Sequence, residues 1–185
     1  MTDTPMFRDV DHAVRFAYAI TEYPIMRLSE LGQYLARGGQ EKTVTVGQLN
    51  QHDLHAQGAM ILTHISKLPP QLCCYVLAYY GWGLGRAVAM DEMRNLARSS
   101  IGNRCTNTAL IDAVATRYFN VGRRSAETFR SIAERVGIHH DTVSYWYQKL
   151  VAALEPLRLQ MEADLHDDFA QAGLIEDLTC PTATV

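Results

Sequence analysis

The sequence predicts an all-α fold, a multi-helix bundle containing a helix-turn-helix. Three observations lead there. Apolar residues recur at three- and four-residue spacing through nearly every segment. Proline and glycine pairs fall at the ends of those segments. One glycine, Gly137, sits between two such segments with apolar residues on both sides. The chain has 185 residues, 48% of them hydrophobic and 20% charged, enough for one domain or two small ones and unlike a disordered chain.

The elements follow in order. Asp9–Tyr23 carries Val10, Val14, Ala17 and Tyr18 at helical spacing, and Pro24 ends or kinks it. Ile25–Ala36 repeats the pattern until Gly38-Gly39 stops it. Gln40–Gly47 is a polar connector in which Thr43–Val46 is at most a short strand. Leu49–Leu68 is helical by period, with Leu54, Met60, Ile61 and Ile65. Pro69-Pro70 breaks it, and Pro70 suits the first position of the next helix, which runs to Tyr80. That helix is apolar nearly all round and is expected to be central. Gly81, Gly83 and Gly85 mark a bend before Ala87–Ser99. Asn107–Phe119, Ala126–Val136 and His140–Leu154 complete the regular part. Pro156 is expected to separate a last acidic segment, Leu157–Phe169. About eight helices result. The expected division is an N-terminal helical segment (1–50), a helical body (51–155) with the motif at about 126–154, and an acidic tail (156–185).

Residues 129–148 fit the helix-turn-helix template at each diagnostic position. Ile132 and Val136 form the inward face of the first helix, and Ala133 is small where the two helices touch. Gly137 supplies a left-handed turn residue. Ile138 plugs the turn, while Val143 and Trp146 pack the second helix back onto the first. The alternative is a purely structural αα-corner, which also needs a glycine with apolar flanks. The outward face of the second helix favours DNA. His140, Asp141, Thr142, Ser144, Tyr145, Gln148 and Lys149 are hydrogen-bonding types, several of them short, suited to base edges in the major groove. His139 holds the N-cap position, where Ser or Thr is more usual, so Asp141 is expected to stabilise the helix start electrostatically. Arg123, Arg124 and Arg130 are candidate phosphate contacts, a solvated surface being the alternative for each.

The net charge of −3 looks unlike a DNA-binding protein, but it is unevenly spread. Residues 155–185 sum to −6, whereas residues 86–149 hold ten bases and six acids, a net of +4. The second helix of the motif is nearly neutral, with Lys149 against Asp141. Nonspecific affinity for DNA is mostly electrostatic, so modest affinity is expected from a lone monomer. A dimer, a second DNA contact or a protein partner already on the DNA would supply the rest. Arg86, Arg94, Arg98 and Arg104 form a basic run. The first three share a helix face, as either a solvated surface or a second contact to nucleic acid or polymerase.

Other constellations carry less. His52-x-x-His55 with Asp53 offers half a metal site and no third ligand, and His139-His140 is likewise a poor metal pair. Ser99-Ser100, Asp91-Glu92 and Cys105 make no catalytic set. The Gly81–Gly85 stretch lacks the strand and helix start of a phosphate loop. Trp82, Tyr79 and Tyr80 are expected as core and corner aromatics. The four cysteines show no C-x-x-C pair, and Cys73 and Cys74 are expected in the core. No enzyme, cofactor or metal is expected. No apolar stretch reaches the length of a membrane span, and the N-terminus lacks a signal-peptide pattern, so a cytoplasmic setting is expected.

The order of features adds a resemblance. A helix ends in Lys67-Leu68-Pro69-Pro70, the next carries Tyr79-Tyr80-Gly81, and basic helices lead to the motif. Over roughly residues 55–155 this resembles the Q-type transcription antitermination proteins of lambdoid phages and their prophage-derived relatives in Pseudomonas. More loosely it is similar to the promoter-binding fourth region of bacterial sigma factors. The chain lacks the cysteine zinc finger of the lambda-type branch, which points to the zinc-free, phage 21-type branch. The resemblance implies double-stranded DNA near a promoter and RNA polymerase with its sigma factor as partners. Such a protein loads onto polymerase paused near the promoter and narrows the RNA exit channel so that terminator hairpins cannot form. The alternatives are a dimeric promoter-binding repressor or activator, and a phage DNA-packaging or recombination protein.

Overall fold

The computed structural model describes residues 6–22, 51–121, 123 and 126–175, without the side chains of Gln51 and His52. The expected helix at Ile25–Ala36, the Gly38-Gly39 stop, the Gln40–Gly47 connector with Thr43–Val46, Arg124, and the tail from Glu176 onward lie outside the described residues.

The chain is all-α, with seven helices among the described residues. They are α1 (Val10–Glu22), α2 (Gln51–Ser66), α3 (Pro70–Tyr80), α4 (Gly83–Ile101), α5 (Thr108–Phe119), α6 (Phe129–Val136) and α7 (His140–Gln171). The chain divides into two compact units, residues 1–68 with 161–185, and residues 69–160. Within the segment expected as an acidic tail, Met161, Leu165, Phe169, Leu174 and Ile175 are buried and belong to the first unit.

In the first unit Asp9 starts α1: its Oδ1 accepts from the His12 backbone N–H at 2.8 Å. Val10, Ala13, Val14, Ala17 and Ile20 are buried on α1, and Leu54, Ile61 and Ile65 on α2. The two helices approach closely at Gly58, where an added Cβ would meet Ile20 Cγ2 at 2.5 Å. Phe7 closes the unit, donating its backbone N–H to the Leu174 carbonyl at 3.0 Å and setting its ring 5.0 Å from Phe16.

In the second unit Pro70 opens α3 as expected, because its missing N–H is not needed there. The bend before α4 is tighter than expected. Only Gly81 and Trp82 separate the helices, and Gly83, with φ of 64°, already begins α4. Asn107 caps α5, its side chain accepting from the Leu110 N–H at 3.0 Å. The core gathers aromatics. Tyr75 and Tyr118 share a buried hydroxyl–hydroxyl hydrogen bond of 2.7 Å, and Phe119 packs edge-on to Tyr75. Burial raises the Tyr75 hydroxyl far above its usual range. Trp82 is more exposed than a core aromatic, at 42%, and Cys73 and Cys74 are half-buried.

Pro156 does not end a helix. α7 runs unbroken for 32 residues with Pro156 inside it. The proline removes one backbone donor, but the buried row Leu150, Leu154, Met161, Leu165, Phe169 keeps helical spacing across it. Packing on both sides overrides the local preference.

Candidate nucleic-acid interface

The α6–α7 pair is built from local chemistry outward. Thr128 caps α6, its Oγ1 accepting from the Ser131 N–H at 3.1 Å. Gly137 ends it in the left-handed region at φ 73°, ψ 37°. The N–H groups of Gly137 and Ile138 both return to the Ala133 carbonyl, at 2.9 and 3.0 Å. Three residues later α7 begins. Ile132, Ala133 and Val143 are buried between the helices, as expected from sequence. Val136, Ile138 and Trp146 are only half-buried.

His139 does take part in capping. Its Nδ1 lies 3.4 Å from the Asp141 N–H, which a neutral ring accepts, and 3.2 Å from the Asp141 carboxylate, which a protonated ring donates to. His140 Nε2 is also 3.2 Å from that carboxylate. Among the described residues His139, His140 and Asp141 are the one cluster of three metal-ligand types, with ligand atoms within 4.8 Å of one another. All three are exposed, and a cation there would face the positive end of the α7 dipole.

Of the remaining residues expected on the DNA-facing side, Thr142, Tyr145, Gln148, Lys149 and Arg130 are exposed and Ser144 is half-buried. Lys149 Nζ lies 5.3 Å from the Tyr145 ring, which is 52% exposed. The structure therefore gathers short polar groups, one aromatic and one cation on the open side of the first turns of α7.

Arg117 of α5 holds this pair in place, a role that spacing did not reveal. Its guanidinium lies 4.2 Å from the ring centre of Phe129 at the start of α6 and 5.8 Å from that of Tyr147 on α7. Its Nη1 donates to the Glu127 carbonyl. Tyr147, not Trp146, makes the ring contacts with α5 and α6, to Tyr118 at 6.5 Å and Phe129 at 5.2 Å. Burial raises the Tyr147 hydroxyl above its usual range despite Arg117 nearby.

The chain matches no family model and no curated protein.

The other expected cations divide into two groups. Arg123 turns inward. Its Nη2 donates to the Tyr79 and Gly81 carbonyls at 3.0 Å each, and its guanidinium lies 4.1 Å from the Trp82 ring centre. Arg86 donates to the Ala78 and Phe119 carbonyls at 3.0 and 3.1 Å and to Asn120 Oδ1 at 2.6 Å. Both satisfy carbonyls at helix C-terminal ends, where cations are favoured. Burial, then the neighbouring Arg123 and Arg94, lowers the Arg86 pKa. Arg86, Arg94 and Arg98 share a face as expected, but that face looks toward α5. Arg94 Nη1 binds Asp91 at 2.6 Å and its Nε and Nη2 reach Thr116 Oγ1. Arg98 grips both oxygens of Asp112 at 2.8 and 2.5 Å, which raises its own pKa. Arg104 is exposed in the turn after α4.

Arg94 and Arg98, with Asp91, Asn95, Ala109, Asp112, Ala113, Thr116 and Arg135, line a cavity of about 520 Å³. Ser99 and Ser100 lie outside it, both donating to the Leu96 carbonyl at 2.8 Å. No helix among the described residues is long and apolar enough to cross a membrane.

Proposed function

We propose that this chain is a DNA-binding transcription antitermination factor of the bacterial cytoplasm. It takes double-stranded DNA near a promoter and RNA polymerase with its sigma factor as partners, and needs no cofactor, metal or catalytic step. The observation that carries the reading is the exposed polar face on the first turns of α7, reached through a left-handed glycine turn from α6. Short hydrogen-bonding side chains at a helix N-terminus suit base edges, while Arg130 on α6 suits a phosphate.

The low charge of that face supports loading onto a paused polymerase rather than capture of DNA alone. Thr142, Ser144 and Gln148 carry no charge, and Lys149 offsets Asp141. The antitermination step itself rests on the resemblance carried by Lys67–Pro70, Tyr79–Gly81 and the motif.

A run-off transcription assay tests it, on a template with a promoter-proximal binding element and a downstream terminator. Read-through is expected to rise only when the element is present. If initiation changes while read-through stays at baseline, a promoter-binding repressor or activator replaces this reading, and a palindromic footprint would mark it as dimeric. Binding confined to a virus packaging or recombination site would replace both.

A further inference from the structure

We infer that the cleft between α4, α5 and α6 binds phosphate oxyanions, and, resting on the DNA reading above, that its occupant is a backbone phosphate beside the motif. The cleft holds three guanidinium groups, Arg94 and Arg98 from α4 and Arg135 from α6. A guanidinium has five N–H donors and no acceptor. Arg94 and Arg98 each use one N–H on Nε, Nη1 and Nη2, which leaves two on each residue. Arg135 uses one on Glu127 at 2.6 Å, which leaves four. Acceptors are fewer: each carboxylate oxygen of Asp112 and the Asn95 amide oxygen already accepts one bond from Arg98.

The unfilled hydrogen-bonding capacity is therefore mostly on the donor side. The lining carries three cations and the two anions Asp91 and Asp112, while the counter-ion of Arg135, Glu127, stands outside it. An acceptor-only oxyanion meets that need, and guanidinium forks match its geometry. The two ion pairs hold Arg94 and Arg98 in place beforehand, so less side-chain freedom is lost on binding. Arg135 ties the cleft to α6, the helix that crosses the DNA backbone in motifs of this geometry. The small side chains of Ala109 and Ala113 in the lining leave room for a tetrahedral group.

The test uses the full chain, with inorganic tripolyphosphate as one probe and a duplex of random sequence as the other. Arg98→Gln and Arg135→Gln are compared with wild type and with Arg8→Gln, an exposed arginine of the first unit. Arg135 is half-exposed, so its variant remains informative if Arg98→Gln unfolds. Each cleft variant is expected to weaken tripolyphosphate and duplex binding about eightfold at 0.1 M salt. For the duplex, each should also reduce the slope of log affinity against log salt by about 0.9, the counterion share of one phosphate. Arg8→Gln should match wild type. Unchanged affinity and slope in both cleft variants overturns the site and leaves the DNA reading standing. Tripolyphosphate binding that depends on Arg98 and Arg135, with no duplex binding by wild type, supports the oxyanion site and overturns the DNA reading. Binding of a poly-glutamate peptide that depends on these arginines, with none of tripolyphosphate, overturns the site in favour of an acidic protein surface.

Discussion

The guanidinium of Arg117 lies 4.2 Å from the centre of the Phe129 ring, so a cation from α5 pins the first residue of α6. The same group reaches Tyr147 and the Glu127 carbonyl. One side chain of α5 thus touches both helices of the pair, beside the Tyr118–Tyr147 ring contact. Arg117→Ala is expected to cost about 2 kcal/mol, from the lost cation–π and hydrogen-bond contributions. Hydrogen exchange should speed up over residues 129–137 before the first unit loosens. Uniform loosening of both units would show that Arg117 is not the pin.

Gly137 tests the turn. Its φ of 73° suits glycine, and a Cβ there would meet nothing within 4 Å, so the cost of a side chain is purely conformational. Gly137→Val is expected to lower stability by about 1–3 kcal/mol and Gly137→Asn by less, as read from thermal melts. Equal melting of both variants and wild type would mean that the turn is not left-handed in solution.

The open face of α7 tests the proposed base contacts. Thr142→Ala and Tyr145→Ala remove exposed groups and should leave the melting temperature within experimental error. Each is expected to lower affinity for the specific site by about 1–3 kcal/mol, with little effect on random duplex. Lys149→Gln should instead weaken both kinds of duplex alike. Footprints unchanged in the first two variants would reject this face.

Acid should weaken the first unit. Burial disfavours the charged form of His12 and, against the pull of Asp9, holds its pKa below the ordinary 6.5. As pH falls through 6.5 the unfolded chain takes up this proton first, and stability present above that pH is lost. Burial raises the Asp9 carboxyl, but the His12 N–H and Arg8 together pull it below 3.8, so its contribution is present above 3.8 and is lost as pH falls from there through the lower folded pKa. Thermal melts between pH 7.5 and 5 should therefore decline, and His12→Phe should flatten that decline. His12 Nε2 is buried without a partner and the ring packs edge-on to Phe7, so phenylalanine suits the site. An equally steep decline in the variant would assign the titration elsewhere.

Much of the fold was legible because it follows from single-residue chemistry. Pro70 opens α3 and Gly137 turns the chain, each through its own backbone preference. What sequence reading missed depends on distant partners. Pro156 looked like a stop because its missing N–H is local, whereas the burial of Met161, Leu165 and Phe169 that carries α7 past it is not. Trp146 and Tyr147 both lie at helical spacing from Val143, so period alone could not choose the one that meets Phe129. Spacing grouped Arg86, Arg94, Arg98 and Arg104 as a basic run and placed Arg123 beside the motif as a phosphate contact. Only the fold separates those that satisfy helix ends from those that line the cleft.

The first unit is assembled from the two ends of its sequence, residues 1–68 and 161–185. A ribosome delivers these ends in order, with all of residues 69–160 between them. The second unit therefore has its whole sequence in hand before the first does. Until Phe169 emerges, α2 lacks the ring that packs edge-on to His64. The nascent chain must carry that uncovered surface while residues 69–160 are made.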